Sequence, residues 1–313
     1  MALQIVLFII GLAALYFGAD WLVKGASRFA SALHIKPVVI GLTIVAFGTS
    51  TPELVTSVIA GVKHLNDIAM GNVIGSNIAN IGLILGLSAL VRPLAVDSKL
   101  VIREMPIMAG ISLLLYFMGS DGTLSRMEGA VLLLGIVAYT VYVYLAALKE
   151  PKAVEQEFEE FVGTAKNNIL KDLFLIAIGL GGLVGGAHFL VQSAVFIAKS
   201  VGISELVIGL TVIAVGTSLP ELATSVVAAI RKESDISVGN VIGSNIFNIL
   251  AVLGVAALVR PLQVNPASLR VDIPIMLIFS VFLIPIITWK FVITRGQGLL
   301  LLISYGIYVF LLF

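Results

Sequence analysis

The sequence predicts an all-α integral membrane protein of ten transmembrane helices, arranged as two inverted five-helix repeats. Three observations lead there: an apolar composition, ten long apolar stretches, and an internal duplication. Of 313 residues, 59% are hydrophobic and only 12% are charged, against about 25% charged in an average soluble domain. Mean hydropathy is +1.11. So much apolar chain with so little charge implies that most of it faces lipid or other lipid-embedded helices. The formal net charge of +1 gives no sign of nucleic-acid or acidic-substrate binding. Cysteine is absent, so no disulfide framework or thiolate metal site is possible.

The apolar stretches run near 3–23, 38–61, 68–91, 105–118, 127–148, 172–198, 206–230, 236–259, 272–289 and 297–312. A hydrocarbon core of roughly 30 Å takes about 20 helical residues to span, with shorter segments tolerated at some cost in mismatch. Transmembrane barrel strands alternate apolar and polar residues over about ten positions, and these unbroken runs do not. The first stretch has no basic segment before it and no small-residue cleavage pattern after it. It also has a counterpart in 172–198, so it reads as a retained first helix rather than a signal peptide.

The duplication is the strongest internal signal. Residues 41–94 begin GLTIVAFGTSTPELVTS and continue through GNVIGSNIANI to ALVRPL. Residues 209–262 begin GLTVIAVGTSLPELATS and continue through GNVIGSNIFNI to ALVRPL. The offset is 168 without a gap, and 34 of the 54 aligned positions are identical. The identities include Thr, Ser, Glu and Asn inside apolar helices, where polar groups are expensive and mark function. The units are therefore 1–148, a linker at 149–171, and 172–313.

Five crossings per unit turn the second unit upside down relative to the first. With the N-terminus outside, the segments on the cytoplasmic side hold 14 Lys and Arg and the external ones hold 5, the bias that orients membrane proteins. Both termini are then expected outside a cell membrane and the 149–171 loop in the cytoplasm. Glu150, Glu155, Glu157, Glu159 and Glu160 cluster in that loop. It is too short for a folded domain and reads as a solvated connector.

The chemistry sits in the repeated segments. Thr49 and Glu53 are four apart, on one face of an α-helix, with Ser50 beside them. Glu53 lies mid-stretch, too deep to snorkel to either interface. Pro52 has no N–H for the Gly48 carbonyl, so a bend is expected that frees backbone oxygen next to the carboxylate, with Ala46 a turn before it. Thr217, Ser218, Pro220, Glu221 and Ala214 repeat the arrangement. Asn72, Ser76 and Asn80 align on one face of the next helix, with Asn77 beside them, and Asn240, Ser244, Asn245 and Asn248 repeat that set.

Every candidate ligand is an oxygen, which suits a hard cation, and Ca2+ takes six to eight of them. Two carboxylates with no fixed cation are neutralised by one Ca2+ or two Na+. Mg2+ fits less well, because it sheds its water reluctantly. An enzyme would need a nucleophile and base or a hydrolytic metal, and these motifs contain no histidine or cysteine. Asp67 and Asp235 read as helix N-caps, Arg92 and Arg260 as interfacial anchors, and Asp20 and His188 as residues near helix ends.

The blocks GTSTPE/GNVIGSNIANI and GTSLPE/GNVIGSNIFNI resemble the α-repeats of the sodium/calcium exchanger family, within the cation/Ca2+ antiporter superfamily. The likeness spans the whole chain and is to the compact prokaryotic type. It implies a secondary active antiporter that exchanges Ca2+ for Na+ by alternating access, in a prokaryotic plasma membrane, functional as a monomer and without a cofactor. It implies a core of the second, third, seventh and eighth helices, across which the first and sixth slide. The family's metal ligands fall on Glu53, Glu221, Thr49, Ser50, Ser76, Asn80, Thr217, Ser218, Ser244 and Asn248, with backbone oxygens at Ala46 and Ala214. Some relatives carry Asp where Asn248 stands, and K+-dependent exchangers have an acidic residue in that region, so Asn248 weakens the case for K+ co-transport. A Ca2+/H+ antiporter is the alternative, although its relatives usually vary the GTSxPE block.

Overall fold

A computed structural model describes residues 2–149, 169–200, 216–288 and 290–312. Helix α1 (Ala2–Ala32) is followed by α2 (Pro37–Thr49) and α3 (Thr51–Val62), one span bent by 44°. Then come α4 (Asn66–Val91), α5 (Leu100–Asp121) and α6 (Arg126–Leu148). Helix α7 (Ile169–Ser200) opens the second half and is followed by α8 (Leu219–Ile230), α9 (Ser234–Val259), α10 (Ser268–Thr288) and α11 (Arg295–Leu311). Among the described residues seven helices are long and apolar enough to cross a membrane, eight if the bent pair is one span. The seventh predicted stretch is described only from residue 216, so Ala214 lies outside the described residues, as does most of the predicted linker. Helix α7 begins at Ile169, inside the 149–171 segment expected to be linker.

Local chemistry sets the helix ends. Ser125 accepts from the Glu128 N–H while the Glu128 carboxylate takes the Ser125 N–H, and Thr294 with Gln297 does the same for α11. Such reciprocal capping satisfies two of the free donors at a helix start. Asp67 and Asp235 are not the N-caps expected of them. Leu65 and Glu233 hold those positions, and the two aspartates sit one place inside the first turn, where negative charge still complements the helix dipole.

Four two-residue strands, invisible in the apolar pattern, join the two halves. Leu94–Ala95 (β1) pairs antiparallel with Val292–Ile293 (β4), and Thr123–Leu124 (β2) with Leu262–Gln263 (β3). Each ladder ties the VRPL end of one repeat to the connector before the last helix of the other. Helices α4 and α9 lie at the centre, and α9 from Ile236 through Leu253 is buried almost without interruption. By contrast α1, α6 and α11 expose large apolar side chains such as Phe17, Leu134 and Phe310, as lipid-facing helices do.

Helices α1 and α7 pack against each other through glycines. A Cβ on Gly18 would lie 2.8 Å from both the Gly179 carbonyl oxygen and the Leu183 nitrogen. Gly11 and Gly186 are as tight, and glycine at such a crossing lets two backbones touch.

Candidate cation-binding site

The site forms where α3, α4, α8 and α9 meet. Ser50 (φ −81°, ψ 6°) breaks the first bent span and Ser218 (φ −86°, ψ 6°) precedes α8 with the same geometry. Each serine is followed two residues later by a proline that cannot donate to the preceding turn. The break ends one helix and starts the next, so Glu53 and Glu221 lie in the first turns of α3 and α8. There the helix dipole favours negative charge. Both side chains are buried, at 0% and 1% exposure.

The serines at the two helix breaks serve the opposite half's carboxylate rather than their own. Ser50 Oγ donates to Glu221 Oε1 at 3.0 Å, and Ser218 Oγ donates to Glu53 Oε1 at 3.2 Å. Ser76 Oγ lies 3.4 Å from Glu53 Oε1 and 3.1 Å from Ser218 Oγ. The expectation that Thr49 and Glu53 share one helical face is therefore corrected. The break at Ser50 separates them, and Thr49 Oγ1 instead donates to Asn240 Oδ1 at 3.1 Å and lies 3.5 Å from Ser244 Oγ. Thr217 likewise donates to Asn72 Oδ1 at 3.2 Å. Asn72 and Asn240 in turn donate to the main-chain carbonyls of Glu53 and Glu221, at 3.2 and 3.5 Å. These two asparagines were visible in the motif, but their work on the glutamate backbone was not.

The Ala46 carbonyl, a backbone ligand by the family resemblance, is hydrogen-bonded here. It accepts the Ser50 N–H at 3.0 Å and lies 3.4 Å from Thr49 Oγ1, because the turn before the break remains hydrogen-bonded. Asp20 and His188 stand apart from the site. Asp20 is buried and pairs with Lys24 and Arg231, and His188 is exposed beside Phe189.

A wide π-type turn starts at Asn80 in α4 and at Asn248 in α9, a distortion that often accompanies functional sites. Asn80 Nδ2 donates to Asn245 Oδ1 at 2.9 Å, and Asn248 Nδ2 donates to Asn77 Oδ1 at 3.0 Å. Four oxygens at this centre are buried without a hydrogen-bond donor: Glu53 Oε2, Glu221 Oε2, Asn80 Oδ1 and Asn248 Oδ1. Buried polar atoms are nearly always satisfied, so a matched set of four unpartnered acceptors is a strong anomaly. Among the described residues neither glutamate has a cationic partner. Two carboxylate and two amide oxygens of this kind are what a hard cation would complete.

Comparison with known proteins agrees in both sequence and shape. The family model described as sodium/calcium exchanger protein matches residues 3–146 and 171–313. The sodium/calcium exchanger MaX1 of Methanosarcina acetivorans is 34% identical, over 100% of this chain and 99% of its own. The inner membrane protein YrbG of Escherichia coli is 38% identical over 99% of this chain and 96% of its own. A solved structure of the sodium-calcium exchanger NCX_Mj superposes with a TM-score of 0.86 at 37% identity, covering 100% of this chain and 99% of that one.

Proposed function

This chain belongs to the sodium/calcium exchanger family, and from that premise we propose that it exchanges Ca2+ for Na+ across a membrane by alternating access. The observation that carries the reading is the set of four unpartnered buried oxygens, two from each half of the chain. One Ca2+ neutralises both carboxylates; two Na+ do the same. An empty site leaves two buried negative charges in a low-dielectric medium, which opposes reorientation, whereas a filled site removes most of that penalty. Exchange is thereby coupled and slip suppressed. Among the described residues no third carboxylate accompanies the pair, and Asn248 stands where K+-dependent exchange would favour an acid.

Glu53, Glu221, Asn80 and Asn248 are the principal ligands in this proposal, with Ser50, Ser218, Ser76, Thr49, Thr217 and Ser244 holding or exchanging with them. Ala214 would contribute a backbone oxygen, and Ala46 the carbonyl lone pair left beside its hydrogen bond from the Ser50 N–H. The two units, 1–148 and 172–313, are inverted five-helix repeats, giving ten spans when the bent pair counts once and the seventh stretch is included. Inverted copies allow outward and inward forms to be built from the same packings with roles exchanged. Both termini lie outside, the 149–171 loop is cytoplasmic, and a monomer suffices because each copy of the chain carries both carboxylates.

The test is ⁴⁵Ca2+ uptake into proteoliposomes under separately imposed Na+, K+ and pH gradients. Uptake is expected to follow the Na+ gradient alone. Uptake driven by a pH gradient in Na+-free buffer would replace the reading with Ca2+/H+ antiport. Flux that needs no counter-ion would make the protein a channel.

A further inference from the structure

Asn77 and Asn245 lie outside the ligand set, yet both are buried at 1% exposure and their bonding is fully determined. Asn77 Nδ2 donates to the Asn245 main-chain carbonyl at 3.2 Å and to Met276 Sδ at 3.6 Å. Asn245 Nδ2 donates to the Asn77 carbonyl at 3.3 Å and to Met108 Sδ at 3.5 Å. With the nitrogens spent there, each Oδ1 faces the other way and accepts from the NH2 of Asn248 or Asn80. Turning either amide over would set its oxygen against a carbonyl oxygen and its NH2 against another NH2. Neither contact can form a hydrogen bond.

The consequence falls on Asn80 and Asn248. Their nitrogens are captured, so their carbonyl oxygens are the atoms left buried and unpartnered. An unrestrained asparagine would present NH2 to the site as readily as oxygen, and an NH2 repels a cation. We propose that Asn77 and Asn245 are positioning residues for the ion site: a crossed bracket in which Asn77 orients Asn248, and Asn245 orients Asn80, with both amide oxygens toward the transported ion. This rests on the ion-site reading above. The bracket also makes each half's amide ligand depend on a residue of the other half.

The crossing supplies the test. Ca2+ affinity is measured by calorimetry on the purified full chain for Asn77→Ala, Asn245→Ala, Asn80→Ala, Asn248→Ala and their double variants. Thermal melting without Ca2+ monitors the fold. Asn77→Ala is expected to weaken Ca2+ binding roughly ten- to hundred-fold, as loss of an outer partner does at metal sites. In the Asn77→Ala background Asn248→Ala should cost little more, while Asn80→Ala keeps its full cost. Asn245→Ala should show the mirror pattern. A residue with only a structural role would couple equally to Asn80 and Asn248; equal coupling, or unchanged affinity, overturns the proposal. If Asn77→Ala does not fold, Met276→Leu removes just one acceptor at nearly constant volume and should give a smaller loss with the same selectivity for Asn248. Glu221→Gln separates the two levels: if it retains Ca2+ binding, the site itself is wrong. If it abolishes binding while the asparagine effects are additive, only the bracket is wrong.

Discussion

Replacing Glu221 by Gln tests the ion site at its most sensitive atom. The side chain is 1% exposed, Oε1 accepts from Ser50 at 3.0 Å, and Oε2 has no partner. Glutamine keeps the shape and an acceptor for Ser50 but removes the charge and can place an NH2 where the ion would sit. Two unit charges 4 Å apart attract by about 4 kcal/mol at an effective dielectric constant near 20, and a divalent ion doubles this to about 8 kcal/mol. If half of that gain is cancelled by the ion's lost hydration, about 4 kcal/mol remains, roughly a thousand-fold in Kd. The assay is thermal melting in detergent with and without Ca2+. At a Ca2+ concentration of about 100 Kd the unmodified protein gains about 2.7 kcal/mol. A variant a thousand-fold weaker gains under about 0.1 kcal/mol at the same concentration. Glu53→Gln should behave alike, because Glu53 has the same burial and the same free oxygen. Either variant retaining both the Ca2+-dependent rise in melting temperature and full ⁴⁵Ca2+ uptake would refute the paired-carboxylate site.

Two further outcomes follow from the fold. Gly18→Ala puts a Cβ 2.8 Å from the Gly179 carbonyl and the Leu183 nitrogen, so α1 and α7 must part; a loss of about 1–3 kcal/mol is expected, read as a lower melting temperature and slower uptake. Unchanged values would show that the pair does not pack closely in the membrane. Asp97 is partly buried, which by itself would raise its pKa, but the Lys36 ammonium and the Lys99 N–H outweigh that and hold the carboxyl below its usual range. A lowered carboxyl pKa stabilises the fold above its unfolded value and loses that contribution as pH falls through the folded value. Asp97→Asn should therefore lower the melting temperature at neutral pH, with the gap closing below about pH 4; a gap that is constant with pH would contradict this.

Much of the architecture is legible in the chain itself. Apolar stretches of helical length fall where α1, α4, α6 and α9 are, and the polar residues of the repeated segments, in the bent span, α4, α8 and α9, are the ones that gather at the centre. The 168-residue offset reappears as symmetry in the bonding, since Ser50 to Glu221 and Ser218 to Glu53 are one contact written twice. Composition and periodicity are local properties, and the low solubility of charge in lipid makes them decisive for which segments are helical and which polar groups matter. Who bonds to whom is not local. Ser50 served the glutamate 171 positions away rather than its neighbour Glu53, Ala46 kept its hydrogen bond, and Asn77 reached Asn245 across 168 positions. Two-residue ladders joined the halves with no periodic signal to announce them. Donors and acceptors choose partners by distance and angle, and those are set only when the helices pack.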